Sequence, residues 1–457
     1  MKLKRYACNR YDKGAKKLLE QFRLPKIPMP DLDLPQAVQD VLKEAEQALA
    51  HRPKLLKLFK NCFPNSLKTT TKLMDDGTTF LITGDIPALW LRDSVEQVIH
   101  YVPLAKEDAD LQRIIGGLIK RHIHYVLIDP YANAFNETAN DWHWNAADET
   151  EMSPWVWERK FEIDSLCFVI RLAYMYWKET ELTDIFDSKF KMALRKMVDV
   201  FKTEQRHQEQ SAYRFTRNNG IFTDSLRNQG LGMPVNYTGM IWSGFRSSDD
   251  ACDFHYNIPG NMFAVVALRQ MQEFAEWVFR DMDFLNELKE LEAEVEHGIR
   301  LYGIYRHPVF GPIYAYETDG FGNYCLMDDA GTPGLMSIPY LGYTTADDPI
   351  YQNTRRFALS QENPFFFEGK AAKGIGSPHT QPGYIWHMAL SMQGLTAQTA
   401  EEKLEMIQML ESTDGDTGYM HEGFHADDPT VFTRKWFAWS NSLFAQLVYK
   451  AMKDGLL

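Results

Sequence analysis

The sequence predicts an all-α chain built of helical hairpins that carry long functional loops, and three observations predict it. Apolar residues recur at three- and four-residue spacing through most of the chain, as in Leu166, Val169, Ile170, Ala173 and Tyr176, the pattern that gives a helix one buried face. Strand-like alternation is scarce. Between the helical stretches lie long segments, at 129–160, 216–259 and 308–334, rich in Gly, Asp, Asn and aromatics together. Loops of that length in a compact domain usually carry function.

In chain order the spacing predicts helices at 35–49 with a continuation at 53–61, then 93–102, 106–128, 162–179, 183–207, 260–279 and 281–305. Further helices follow at 337–341, 349–359, 381–393, 396–412 and 436–450. Thr183 and Asp281 stand where caps belong. "YRFTR" (213–217) reads as a short strand, and the apolar run from Phe80 toward Gly84 is β-like. About twelve helices in alternating pairs predict a closed ring of hairpins, an (α/α)6 barrel, although periodicity alone does not separate it from an open α-solenoid. No linker or compositional break divides the chain, so 1–457 reads as one domain. Trp177 and Trp277 fall in helical patterns and read as core. Trp90, Trp142, Trp144, Trp155, Trp157, Trp242 and Trp436 fall in polar, irregular stretches, where rings wall small-molecule clefts or anchor loops.

Charge and cysteines narrow the class. A net charge of −13 and a pI near 5.5 argue against a nucleic-acid or anionic-membrane partner, which needs a basic face. The basic N-terminus lacks the apolar run of a signal peptide, and "FAVVAL" (263–268), among the longest apolar runs, is too short to cross a bilayer. The five cysteines (Cys8, Cys62, Cys167, Cys252, Cys325) are scattered and never in C-x-x-C spacing. That usage points to a reducing compartment, the cytoplasm, without a disulfide framework or zinc–cysteine site.

His421-Glu422-Gly423-Phe424-His425 spells H-E-x-x-H, the pattern in which two histidines on one helical face bind zinc. A helix has little room here: "DGDTG" precedes the motif, "DDP" follows it, and Gly423 costs a helix about 1 kcal/mol. "DGDTG" also opens like a calcium loop, but Tyr419 and His425 stand where that loop needs glycine and glutamate. No metal and no cofactor are expected. Glu422 is left as a loop carboxylate able to activate water if a second carboxyl lies opposite; the alternative is a cap for the next helix.

"IWSGFRSSDDACDFHYNIPGN" (241–261) supplies Asp249 and Asp250 in tandem after Arg246. Crowded carboxylates raise the pKa of one member, as a general acid requires. "FLITGDIPALWLRDSVEQV" (80–98) brings Trp90, Arg92 and Asp93 to a helix start, a clamp for a sugar or carboxylate; Asp93 alone would be an N-cap. "NDWHWNAAD" with Trp142, "YCLMDDAGTPGL" with Asp329 and "GIGSPHTQPGYIW" with His379 interleave polar groups with aromatics, and none cradles phosphate.

At "GDIPALWLRDS", "WSGFRSSDDA", "MDDAGTPGL", "IGSPHT" and "GYMHEGF" the chain resembles glycoside hydrolase family 125, the metal-independent exo-acting α-mannosidases, over nearly its whole length. The resemblance implies an (α/α)6 barrel, release of terminal α-1,6-linked mannose from manno-oligosaccharides, and inversion at the anomeric carbon. It implies Asp249 as the acid, Glu422 as the base, and Arg92, Asp93, His379 and His421 as ligands of mannose hydroxyls. Trp90, Arg246, Asp250 and Asp329 in the same blocks, with Trp142 of "NDWHWNAAD", complete the expected substrate-binding set. A sugar epimerase on the same scaffold, or a non-catalytic glycan-binding scaffold, remains the alternative.

Overall fold

The structure, a computed structural model, describes residues 32–457; Cys8 and the N-terminal basic segment lie outside them. The helices that build the architecture are α1 (Gln36–Ala48), α2 (Pro53–Cys62), α3 (Leu91–Glu96), α4 (Ala109–Ile128), α5 (Ile163–Thr180), α6 (Ser188–Glu204) and α7 (Ile258–Glu273). They continue with α8 (Met282–Tyr302), α9 (Ile338–Leu341), α10 (Pro349–Ala358), α11 (His387–Leu395), α12 (Ala400–Ser412) and α13 (Ala438–Lys453).

From α3 onward the odd-numbered helices form an inner ring. In order, α3 packs on α5, α5 on α7 and α7 on α9; α9 reaches α11 through the adjoining 3-10 turn Leu335–Ser337, α11 packs on α13, and α13 returns to α3. The outer helices lie against them, α4 on α5, α8 on α7 and α12 on α11, while α2 covers α13. The ring is closed, which decides for the (α/α)6 barrel over the open solenoid. Its main apolar cluster runs from Val38 to Met452, with a smaller one between α11 and α13 and another around Trp90. Among the described residues no helix is long and apolar enough to cross a membrane.

Local chemistry explains the helix starts. Asp108 caps α4 by accepting the Asp110 and Leu111 N–H groups at 3.0 Å, and its other oxygen accepts the Ala37 N–H at 2.9 Å, tying α1 to α4. Asp281 caps α8 as expected, through the Phe284 N–H. Thr183 does not cap α6: the helix begins at Ser188, where Asp187 accepts the Lys189 and Phe190 N–H groups. Asn257 caps α7 through the Gly260 N–H at 2.8 Å, with Pro259 in the first turn, where its missing N–H costs nothing.

Trp277 is not core. A π-turn at Phe274–Val278 adds a residue to the end of α7, burying Phe274 and Ala275 and leaving Trp277 65% exposed. Trp177 is half-buried and stacks on Phe274 at 5.0 Å. Trp242 is fully buried between His207 (3.5 Å between ring centroids) and His255 (4.7 Å), an anchor for its loop.

Short strands of two to five residues organise the loops at one end of the ring. Leu89–Trp90, Ala134–Phe135 and Val156–Glu158 form one three-stranded sheet beside the starts of α3 and α5. Tyr256–Asn257, Glu317–Thr318 and Tyr324–Cys325 form a second before α7, and Tyr384–Trp386, Gly423–His425 and Asp428–Phe432 a third before α11. The β-like run near Phe80 is the strand Thr79–Leu81, paired with Thr71–Leu73. Of "YRFTR" only Thr216–Arg217 pairs, with Asp148–Glu149.

Candidate active site

The first turns of α3, α5 and α13 converge on one buried cation. Arg92, the second residue of α3, is 2% exposed; its Nη1 donates to Glu162 Oε2 at 2.7 Å and Asp164 Oδ2 at 3.0 Å, and its Nη2 donates to Asp249 Oδ1 at 2.8 Å. Its guanidinium lies over the Trp439 ring, 5.6 Å from the centroid. Burial pushes the neighbouring Asp93 carboxyl up, Arg92 offsets part of that, and the group settles at about 6.

The Asp249–Asp250 tandem sits in a tight turn: the Asp249 N–H donates to Arg246 O at 2.9 Å, and the Arg246 N–H to Asp250 O at 2.8 Å. Asp249 has φ +66°, left-handed backbone that aspartate tolerates better than branched residues do. The turn separates the two acids. The Asp249 side chain keeps 28% of its exposure and faces Arg92, while the Asp250 side chain is wholly buried with Oδ1 3.1 Å from His379 Nδ1. Lys160 holds the turn from below, donating to Asp249 O at 2.7 Å and to Asp224 Oδ1 at 3.0 Å.

The expectation that Asp250 raises the pKa of Asp249 is therefore overturned. Burial alone would push the Asp249 carboxyl up, but the Arg92 guanidinium, a hydrogen bond from Glu162, Lys160 and His379 together hold it at about 2. Among the carboxyls that hydrogen-bond Arg92, Asp164 is raised and Glu162 is driven well above the usual range, both by burial against the pull of Arg92.

On the other side Glu422 directly precedes the strand Gly423–His425, with its side chain 10% exposed. Its Oε2 accepts the Thr433 hydroxyl at 3.1 Å, and Arg434 Nη1 lies 3.4 Å from Oε1. Arg434 also pairs with Asp85, Nε to Oδ2 at 3.2 Å, and covers the Phe437 ring at 4.2 Å. His379 links the two sides. Burial favours its neutral form, but Asp250, Glu422 and Asp249 hold a proton on it up to about 10.

A glycine fixes that histidine's loop. A Cβ at Gly376 would sit 2.0 Å from the Tyr384 carbonyl oxygen, so only glycine lets the loop lie against the strand Tyr384–Trp386. The Ala330 N–H donates to Gly376 O at 3.2 Å and joins this loop to the "MDDAGTPGL" segment. Asp329 Oδ2 accepts the Ser248 hydroxyl at 2.7 Å, bracing the Asp249 turn from behind.

Two of the expected substrate ligands, Arg246 and His421, also hold the scaffold. Arg246 turns its guanidinium to Glu317, with Nε–Oε1 2.5 Å and Nη2–Oε2 3.0 Å, and pins the acid turn to the strand Glu317–Thr318. His421 is buried and stacked on Phe432 at 3.7 Å; its Nδ1 faces Arg434 O at 3.0 Å and its Nε2 faces Thr417 Oγ1 at 3.1 Å. It braces the Glu422 loop. The H-E-x-x-H stretch ends in a strand, so its histidines share no helical face and the zinc reading fails on geometry. Trp90 packs with Ala88, Ala134 and Trp157, and Trp142 and Trp144 lie against that cluster, an aromatic wall beside Arg92. Glu162, Asp164, Asp85 and Arg434 escaped the sequence reading. The first two stand where any helix start carries acids; the signal available was their number beside a buried Arg92.

A cluster of carboxylates on a buried guanidinium, beside an aromatic wall at one end of a closed helical ring, fits a glycosidase-type site. Residues 52–449 match the family described as metal-independent alpha-mannosidase (GH125), and the chain belongs to that family. It is thus a glycoside hydrolase, which removes the epimerase and the non-catalytic scaffold from contention. The Meiotically up-regulated gene 157 protein of Schizosaccharomyces pombe is 36% identical over 437 residues, spanning 90% of this chain and 84% of that protein. A Streptococcus pneumoniae metal-independent α-mannosidase, solved in a non-productive complex with α-1,6-mannobiose, is 44% identical with a TM-score of 0.89, covering 92% of this chain and 98% of its own. A rhamnosidase of family GH78 from Bacillus sp. GL1, 12% identical with a TM-score of 0.53 over 88% of this chain and 35% of its own, shares the fold.

Proposed function

We propose that the protein releases non-reducing terminal α-1,6-linked mannose from manno-oligosaccharides or N-glycan fragments, with inversion, the whole chain acting as one catalytic domain. The observation that supports this is the partly accessible Asp249 carboxylate held on Arg92, with Glu422 held by Thr433 and Arg434 and the charges of both acting on His379. The α-1,6 linkage rests on the mannobiose bound by the Streptococcus pneumoniae relative. Glu422, oriented by Thr433 and Arg434, takes a proton from water as the new C–O bond forms at the anomeric carbon. The glycosidic C–O bond breaks, its electron pair stays on the leaving oxygen, and that oxygen takes the proton of Asp249. Trp90 and Trp142 wall the cleft, and Asp93 and His379 hold hydroxyls.

Incubation with α-1,6-mannobiose should yield free mannose, with the β anomer first in proton NMR before mutarotation. Glu422→Gln should lose on the order of 10² to 10⁴ in rate on every substrate, while Asp249→Asn should lose that much only where the leaving group needs a proton. The α anomer appearing first, or near-full activity in Glu422→Gln, would overturn the reading. We place the enzyme in the cytoplasm: Cys62, Cys167, Cys252 and Cys325 are free thiols, as a reducing compartment keeps them.

A further inference from the structure

The group that loads the acid is not in the Asp249–Asp250 tandem. Around Arg92 stand Glu162, Asp164 and Asp249 at hydrogen-bond distance, and Asp93 Oδ2 at 3.8 Å from Nε. The other cations nearby hydrogen-bond other groups, Lys160 Nζ to Asp224 and the Asp249 carbonyl, His379 to Asp250 and Arg434 to Asp85, and reach Asp249 and Asp93 only through their charge. Four carboxylates on one guanidinium in a closed space cannot all ionise, as in paired acids that share one proton. Glu162 is the member best placed to keep that proton. Its side chain has no exposure; Oε2 takes Arg92 and the Ser165 hydroxyl (3.0 Å), Oε1 takes the neutral Asn133 amide at 3.2 Å, and its carboxyl hydrogen-bonds Asp249. Asp249, at the other terminal nitrogen of the same guanidinium, is the member that still sees solvent.

We propose that Glu162 and Asp249 share one proton across Arg92, and that Glu162 is the positioning residue that keeps the acid loaded. This rests on the reading of Asp249 as the acid. Before substrate binds, the proton lies with Glu162, whose carboxyl burial drives up, while Asp249 is held down by Arg92. A sugar covering Asp249 removes its remaining exposure, raises its proton affinity and draws the shared proton over. The proton then leaves on the glycosidic oxygen as the C–O bond breaks, and solvent reloads the pair after the products depart.

Glu162→Gln keeps the shape and a donor toward Asp249 but cannot share a proton. The basic limb of kcat/KM against pH on α-1,6-mannobiose should move toward acid by about one unit or more, with a loss of about ten-fold or more at neutral pH. Activity on a dinitrophenyl α-mannoside, whose leaving group needs no proton, should stay within about three-fold. An unmoved basic limb, or equal losses on both substrates, overturns the proposal. Asp249→Asn distinguishes the two failures: if it too spares mannobiose hydrolysis, the acid itself is misassigned. If Glu162→Gln does not fold, difference infrared of wild type against Asp249→Asn replaces it. The buried protonated-carboxyl band at neutral pH should change on removing Asp249, and an unchanged band overturns the pair.

Discussion

At the scale of single residues, the site works by making neighbouring acids differ. Asp249 and Asp250 are adjacent in sequence, yet one left-handed residue turns the first to the cleft and buries the second on His379. The His379–Asp250 pair has a measurable consequence. His379 is raised from 6.5 to about 10, so its contribution to stability is complete below 6.5 and is lost as pH rises through about 10. Other buried groups titrate in that window, Asp328 near 8 among them, so the comparison must be between proteins. Denaturant midpoints across the window should fall less steeply for Asp250→Asn than for wild type, and parallel curves would remove the pair from the account. Asp249 and Glu422 were legible because they stand among aromatic and polar residues where no helix can run, and Arg92 because it stands beside Trp90 and Asp93 at a helix start. Glu162 was not, because an acid at a helix start has an ordinary explanation. Neither was the structural duty of His421 and Arg246, since sequence shows a polar side chain but not which way it points.

At the scale of elements, the long helices were legible and their ends less so. Periodicity located α4, α5, α7 and α8, whereas the start of α6 moved from Thr183 to Asp187 because aspartate there met two free N–H groups. The small sheets were illegible for a physical reason: strands of two to five residues are too short to show alternation. Asp108 is where an element-level test is sharpest, because one carboxylate caps α4 and holds the first turn of α1. Asp108→Ala should cost roughly 1–2 kcal/mol, read as a lower denaturant midpoint with activity per folded molecule unchanged. A loss within error would show that water replaces all three bonds.

At the scale of the whole molecule, closure of the ring and completion of the site are one event. Asn441 in α13 shows the link: its Oδ1 accepts the Met420 N–H at 2.9 Å and the Cys62 thiol at 3.2 Å, joining the last inner helix, α2 and the segment that leads into Glu422. Asn441→Ala leaves the buried Met420 N–H unpaired, a cost of about 1–3 kcal/mol. It should lower both the melting temperature and kcat on α-1,6-mannobiose; a fall in melting temperature alone would uncouple the seam from the site. The bonds across this seam join residues far apart in the chain: Ser66 meets Ser442 at a separation of 376 residues, and Arg434 meets Asp85 at 349. On a ribosome, then, the Asp249 turn emerges long before Glu422, and a nascent chain stalled at the end of α12 holds Arg92, Glu162 and Asp249 with Glu422 not yet made. The ring that holds these residues together is complete only once its last inner helix, α13, packs back on α3.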